Sequence, residues 1–223
     1  MEEFWDERYS QEEFAYGKEP NEYIKAKLSL LPPGKILFPG EGEGRNAVYA
    51  ARLGWDVSAF DLSTNAKAKA DQLARSQGVT IDYRIHRFFE ESYAQHEFDV
   101  IGLTYIHPSP DSKKQIHERI DSYLKVGGYI VLEAFSKEHR EINRVNPAAG
   151  GPSDIDRLYS VEEIKEAFPN YEVIELKRET IDLNEGFGHV GKSSVVRFFG
   201  RKKAVSLSQG EDIHSLASHI YAT

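Results

Sequence analysis

The stretch FPGEGEGRNAVYAARLGWDVSAFD, residues 38–61, constrains the fold more than any other part of the chain. Glycines at 40, 42 and 44 follow a short apolar run, Lys35 to Phe38. They precede an alanine-rich segment, Arg45 to Leu53, with Ala47, Ala50, Ala51 and Leu53 at helical spacing. Gly54 supplies that helix with a stop, and Asp56 to Asp61 reads as a second strand. A strand, a glycine turn, a helix and another strand in such quick succession form a parallel crossover unit, whose hand is right-handed.

The alternation continues downstream. Ser63 caps the next helix, which ends at Gly78, and Thr80 to His86 places Ile81, Tyr83 and Ile85 on one face. Phe98 to Leu103 is a fourth strand. Ile116, Ile120 and Leu124 mark a helix that stops at Gly127-Gly128, and Tyr129 to Ala134 is apolar enough to be buried on both faces. The expected fold is therefore α/β: a doubly wound, mostly parallel, Rossmann-like sheet. After Phe135 the rhythm changes. Ser136 to Tyr159 is polar and aperiodic, with Asn146-Pro147 and Gly150-Gly151-Pro152, and reads as a long functional loop. Ser160 and Glu163 have capping-box spacing and open a helix through Phe168. Tyr171 to Leu183 and Ser193 to Gly200 form a C-terminal antiparallel hairpin joined by residues 184–189, which brings the sheet to seven strands. Upstream, Pro20 opens a helix carrying Ile24, Leu28 and Leu31. One domain, 1–203, is expected, with an N-terminal cap (1–31), the 136–159 loop over the site and a peripheral tail (204–223).

Composition removes several classes of function. A net charge of −8 repels a phosphate backbone, and no basic stripe interleaved with aromatics is present, so nucleic acid is not an expected partner. No apolar stretch approaches the roughly 18 residues a membrane span needs. The start Met1-Glu2-Glu3 lacks the basic-then-apolar order of a signal peptide, so a cytoplasmic location is expected. The chain has no cysteine, which excludes thiolate nucleophiles and thiolate metal sites. His86, His96, His107 and His117 fall on different elements, and His214 and His219 are spaced off one helical face, so no metal site is expected.

In open parallel sheets, ligands sit beyond the carboxyl ends of the strands where strand order reverses, and the first strand-to-helix turn lies there. Arg45 stands where a dinucleotide fingerprint would have its third glycine. Glu41 and Glu43 would also put carboxylates beside a pyrophosphate, each unfavourable by about 1 kcal/mol or more at a few ångströms. A ligand with an adenosine end and a cationic end would gain from those charges, with Asp61 accepting both ribose hydroxyls. S-adenosylmethionine is such a ligand.

ILFPGEGEGRNAVYAARLGWDVSAFD resembles the first two motifs of class I S-adenosylmethionine-dependent methyltransferases, and LKVGGYIVLEAF resembles their helix-to-fifth-strand signature. The opening FWDERYSQEEFAYGKEPNEY, with GGPSDIDRLYSVEEI and NEGFGHVGKSSVVRFFGRK, narrows the resemblance to the tellurite-resistance and thiopurine methyltransferase-like branch, over nearly all of Phe4 to Lys203. The chain departs from many relatives at Phe38, where they carry an acidic residue, and at Pro39. By position, the resemblance implies that Gly40, Glu41, Gly42, Glu43, Gly44, Arg45 and Asn46 hold the methionyl part of the cofactor and that Asp61 and Leu62 hold its ribose. It implies further that Phe88 and Phe89 flank the adenine, that Thr104 and Tyr105 lie under the reacting end, and that Tyr9, Tyr16 and Gly17 close over the cofactor. The activity it implies is methyl transfer to a small-molecule acceptor: an oxyanion such as tellurite, a thiol or another heteroatom nucleophile.

Transfer from a sulfonium is an in-line displacement that needs alignment and exclusion of water, and a side-chain base only if the acceptor still carries its proton. His107, past the fourth strand, and His189, in the last hairpin, are the candidate bases, and Arg197 is a candidate for orienting an anionic acceptor. A nicotinamide-dependent oxidoreductase on a similar fold and a non-catalytic S-adenosylmethionine binder are the alternatives.

Overall fold

Every strand expected from the apolar runs pairs into one sheet in the computed structural model, which describes residues 2–90 and 93–204. The strands are β1 (Lys35–Pro39), β2 (Asp56–Asp61), β3 (Asp82–Ile85), β4 (Phe98–Thr104), β5 (Leu124–Phe135), β6 (Tyr171–Glu185) and β7 (His189–Lys202). They run in the order β3-β2-β1-β4-β5-β7-β6. The first five are mutually parallel, and β7 lies antiparallel between β5 and β6. Strand order reverses between β1 and β4, so the glycine turn after β1 opens at the switch point.

Period-two alternation sorts the core onto the two faces. Ile36, Phe38, Val57, Ala59, Val100 and Val131 pack with Ile24 and Leu28 of α2 (Glu22–Leu28) and with Ala47 and Ala50 of α3 (Arg45–Arg52). Leu37, Ile101, Leu103, Ile130, Leu132 and Phe198 face Ile116 and Ile120 of α5 (Pro110–Tyr123) and Ile164 of α7 (Val161–Ala167). Burying such side chains contributes about 1.5–3 kcal/mol each, which makes the sheet a stiff platform for the loops at its carboxyl edge. α4 (Thr64–Ser76) lies beside α3, its N-terminus capped by Ser63 and by Asp6 of α1 (Glu2–Tyr9). Asp6 Oδ1 accepts from the Ser63 hydroxyl at 2.6 Å and the Asn65 N–H at 3.0 Å, and this pins the N-terminal cap to the domain. Among the described residues no helix is long and apolar enough to cross a membrane, and no group of three or more His, Asp or Glu could hold a metal ion.

The structure differs from the sequence expectation in four places. α2 begins at Glu22 rather than Pro20, because Asn21 caps it by accepting from the N–H groups of Tyr23 and Ile24. α5 ends at Tyr123 and β5 starts at once, so Gly127-Gly128 form a bulge rather than a helix stop; Leu124 pairs with Phe98 and Tyr129 with Val100. The 136–159 segment is not loop throughout: it holds α6 (His139–Val145) and 3-10 turns at Pro147–Ala149 and Ile155–Arg157. α6 escaped detection because its buried residue is a histidine and it has no apolar stripe. The β6–β7 ladder runs to Glu185 and His189, which shortens the tip to residues 186–188. The expected tail lies, from residue 205 on, outside the described residues.

Phe38, where an acidic residue was the family expectation, is 1% exposed and packs against Gly102 of β4. A Cβ at Gly102 would stand 2.4 Å from Phe38 Cε1, so the aromatic ring and the glycine are a matched pair. Gly102→Ala is expected to cost about 1–3 kcal/mol through overpacking. In a Phe38→Leu background the penalty should shrink, and a double-mutant cycle from urea unfolding measures the coupling.

Candidate functional site

The turn from Gly40 to Gly44 is built by backbone that only glycine adopts readily: φ is +65° at Gly42 and +88° at Gly44. A Cβ at Gly44 would lie 2.9 Å from Ala70 Cα, so this glycine also lets α3 start tight against α4. Gly44 is the N-cap of α3 and has no side chain to cap with. Glu41 does the work instead, its Oε1 accepting from Asn46 N–H at 2.8 Å and Ala47 N–H at 2.7 Å. Burial pushes the Glu41 carboxyl up to about 7 despite those two donors and nearby Arg45.

Glu43 turns the other way. Its carboxylate accepts from the Ala15 N–H at 2.8 Å and pairs with Lys69 at 2.8 Å, so it ties the N-terminal segment to the turn and leaves no free charge there. The expectation of two carboxylates facing a cationic ligand is corrected: one caps a helix and the other forms a tether. Asp61, at the end of β2, is the carboxylate left to the turn. Its oxygens accept from Gly42 N–H at 3.1 Å and Ser63 N–H at 3.0 Å, each keeping a lone pair for a further donor. Burial raises its affinity for a proton, against those backbone N–H groups.

Side chains close around the turn. A Cβ at Gly42 would meet the Tyr9 hydroxyl at 2.8 Å, and one at Gly40 would meet Ile106 at 3.5 Å and Phe88 at 3.9 Å. Phe88 is fixed edge-on against Phe60. Phe89, expected beside it at the adenine, is instead 49% exposed. Leu62 is half-buried beside Asp61. The Thr104 hydroxyl, at the end of β4, is buried and has no hydrogen-bond partner. Tyr105 follows with φ +53°, a strained conformation for a tyrosine, held by its N–H to Glu133 O at 2.8 Å.

A second, charged centre lies beside the turn. Arg45 was expected to contact a cofactor, but its guanidinium leaves the turn, meets Glu185 at 3.0 Å and donates to Tyr16 O at 3.2 Å. The physical reason is burial: a guanidinium this deep needs a carboxylate partner. Glu185 in turn accepts from His189 Nδ1 at 3.0 Å, and these two partners draw its carboxyl down to about 2 against the effect of burial. His189 is 4% exposed, and burial holds its pKa below the ordinary histidine value despite Glu185. Its ring packs on Tyr16 at 4.4 Å, Tyr105 at 4.5 Å and Phe135 at 5.2 Å, and Nε2 has no partner among the described residues.

Beside this dyad, Glu133 is 1% exposed and accepts from Asn21 Nδ2 at 2.6 Å, the Tyr105 hydroxyl at 2.7 Å and Arg197 Nε at 2.6 Å. Arg197 is thereby corrected as an acceptor-orienting group, because Glu133 and Glu179 take up its guanidinium. His107 is corrected as a base. Its Nδ1 faces Arg157 O at 3.1 Å and its Nε2 accepts from Phe135 N–H at 3.2 Å, while burial pushes its pKa down to about 3. Asn46 accepts from Asn21 N–H at 2.9 Å, joining turn to cap. Gly17 and Tyr16 pack against the hairpin tip, where Gly188 N–H donates to Ala15 O at 2.8 Å.

Sequence reasoning missed Asn21, Ile106, Glu133 and Glu185. Glu133 had a readable signal, a lone charge inside the apolar strand IVLEAF. Glu185 had none, since a glutamate next to a glycine in a hairpin tip reads as solvent-facing.

The family model described as "Tellurite resistance protein TehB" matches residues 2–180. A probable S-adenosyl-L-methionine-dependent methyltransferase TehB of Haemophilus influenzae is 22% identical over 169 residues, 74% of this chain and 52% of that protein. The chain thus spans about half the length of that relative. The crystal structure of TehB from Haemophilus influenzae superposes with a TM-score of 0.66 at 20% identity, covering 91% of this chain and 67% of that one. A structure solved for the conversion of a disulfide bond into a thioacetal group during echinomycin biosynthesis superposes with a TM-score of 0.71 at 18% identity, covering 93% and 94%. The two solved structures share the Rossmann-like fold described above.

The charged centre makes a stability prediction. With a folded pKa of about 2 against an ordinary 4.5, ionised Glu185 stabilises the fold fully above pH 4.5 and loses that contribution as pH falls toward 2. Glu185→Gln, which strands Arg45, should lower the melting temperature most at pH 7. Thermal melts from pH 7 down to about pH 2.5 should show the gap to the wild-type chain constant above pH 4.5 and narrowing below it.

Proposed function

This chain belongs to the tellurite resistance protein TehB family, and from that premise we propose that it is an S-adenosylmethionine-dependent methyltransferase acting on a small-molecule acceptor. The observation that carries the reading is the occupied N-terminus of α3. Glu41 takes the Asn46 and Ala47 N–H groups that a pyrophosphate would need, and Arg45 is withdrawn to Glu185. The turn therefore disfavours a phosphate-bearing dinucleotide and leaves Asp61 as a pure acceptor, the partner a ribose diol wants. This weighs against the oxidoreductase alternative.

The residues fit S-adenosylmethionine. Asp61 would accept the ribose hydroxyls, Phe88 and Ile106 would cover the adenine side, and the glycine turn would let the methionyl part approach the backbone. The unpartnered Thr104 hydroxyl supplies a polar contact toward the same cradle, and Tyr9 closes it. When bound, this cofactor supplies a methyl group activated by a sulfonium.

The chain's own contribution is position, dryness and a base. Glu185 accepts the Nδ1 proton of His189, which fixes the tautomer and leaves Nε2 with a free lone pair. With its pKa below the ordinary value, His189 is neutral at pH 7 and ready to take a proton from a thiol, hydroxyl or ammonium acceptor. Glu185 then stabilises the resulting imidazolium. Tyr16, Tyr105 and Phe135 pack round the ring and exclude water. An acceptor that arrives already ionised, such as an oxyanion or thiolate, would need only the alignment.

Calorimetry with S-adenosylmethionine and with NADH, together with a product assay for S-adenosylhomocysteine, tests the reading. Only the former should bind, and binding of NADH alone would refute the proposal. Asp61→Ala is expected to weaken S-adenosylmethionine binding by about tenfold to a hundredfold, the worth of one hydrogen bond to a charged group. For a protonated acceptor, kcat should fall on an acid limb centred below pH 6.5 and stay level across neutrality. His189→Ala should lower kcat by about 100-fold or more and remove that limb, leaving cofactor affinity unchanged.

A further inference from the structure

The hydroxyl of Tyr83 reaches from β3 to the glycine turn, 41 positions away in the chain, and donates to Gly42 O at 2.6 Å. Tyr83 is 5% exposed, shares a core cluster with Ala47, Ala59 and Ala70, and pairs with Ala59 on β2. These small neighbours leave room for its ring, and a phenylalanine would fill that space equally well. The hydroxyl is therefore the part of this side chain that packing does not explain. Burial, and then the negative charges of Asp61 and Glu41, hold its pKa well above the ordinary tyrosine value, so it is a hydrogen-bond donor at neutral pH.

Gly42 is the residue that most needs such a donor. It has no Cβ and a φ of +65°, so sterics alone leave its backbone freer than that of any other residue type. Both of its polar groups are held by side chains from neighbouring strands: the N–H by Asp61 Oδ2 of β2 at 3.1 Å, the C=O by Tyr83 of β3. Tyr9 closes a further side, since a Cβ at Gly42 would stand 2.8 Å from its hydroxyl. Two hydrogen bonds thus run in series, from the Tyr83 hydroxyl to Gly42 O and from Gly42 N–H to Asp61 Oδ2, and they end on the carboxylate that closes β2. The other Asp61 oxygen is fixed separately, by the Ser63 N–H at 3.0 Å. Without the phenolic donor, the peptide after Gly42 loses its anchor, and the N–H that steadies Asp61 Oδ2 shifts with it.

We infer that Tyr83 is a positioning residue of the cofactor site: through Gly42 it sets the aim of the Asp61 carboxylate at the cofactor's ribose. The inference rests on the methyltransferase reading and adds to that site a residue of β3, the edge strand two places from β1. Its effect falls on cofactor affinity and is carried by Asp61.

Calorimetry on the full chain with S-adenosylmethionine and with S-adenosylhomocysteine tests it, using Tyr83→Phe, Asp61→Ala and the two combined, with thermal melts reporting the folding of each variant. Tyr83→Phe removes one oxygen and keeps the ring. It should weaken both ligands by the same factor, about fivefold to tenfold, because both carry the ribose. In the Asp61→Ala background the same change should alter affinity by less than about twofold, since the carboxylate it aims is gone. Tyr171→Phe is the matched control. Tyr171 is 4% exposed and its hydroxyl donates to Asp121 Oδ1 at 2.7 Å, but at the amino end of the parallel strands, away from the glycine turn. That variant should lower the melting temperature and leave both affinities unchanged. An unchanged affinity in Tyr83→Phe, a loss of the same size persisting in the Asp61→Ala background, or an equal loss in Tyr171→Phe would each overturn the inference. If the wild-type chain melts cooperatively but binds neither ligand, the methyltransferase reading falls first, and the role of Tyr83 with it.

Discussion

The Arg45–Glu185 ion pair joins the first crossover helix to the last hairpin, and the site depends on it. Arg45 is the first residue of α3, immediately after the glycine turn, and Glu185 ends β6, 140 positions later in the chain. Burying a guanidinium is tolerable only with a carboxylate at bonding distance, so the pair forces the hairpin tip to lie over the switch point. His189 hangs from the same carboxylate, its ring packed on Tyr16, Tyr105 and Phe135. Glu133 repeats the device one strand away, gathering Asn21, Tyr105 and Arg197 on a single buried acceptor.

Charge is therefore distributed by role rather than accumulated. Of the two glutamates in the glycine turn, Glu41 replaces the cap that Gly44 cannot provide, and Glu43 holds the N-terminal segment through Ala15 and Lys69. The uncommitted carboxylate at the turn is Asp61, whose oxygens are steadied by two backbone N–H groups. A helix N-terminus normally welcomes phosphate; this one is already satisfied from within by the Glu41 carboxylate.

Much of the fold was readable before any coordinates, because parallel strands buried on both faces write continuous apolar runs and crossover helices write a 3.6-residue period. The misreadings sit where a local signal served a nonlocal purpose. Gly127-Gly128 looked like a helix stop and is a β-bulge, since β5 starts early to pair Leu124 with Phe98. α6 carries no stripe because its inward residue is His139, whose ring nitrogens bond Ser194 N–H and Gly150 O.

The amino-acid sequence by itself determined the doubly wound sheet, the glycine turn at its switch point and Asp61 at the end of β2, because these follow from periodicity and backbone sterics acting over a few residues. Only the tertiary structure decided which charges are free. Glu41, Glu43, Arg45, Arg197 and His107 all read as site residues in one dimension, and all are spent on partners contributed by other elements or by the backbone. A buried polar group takes whichever partner the fold brings within about 3 Å, and that choice depends on contacts far apart in the chain.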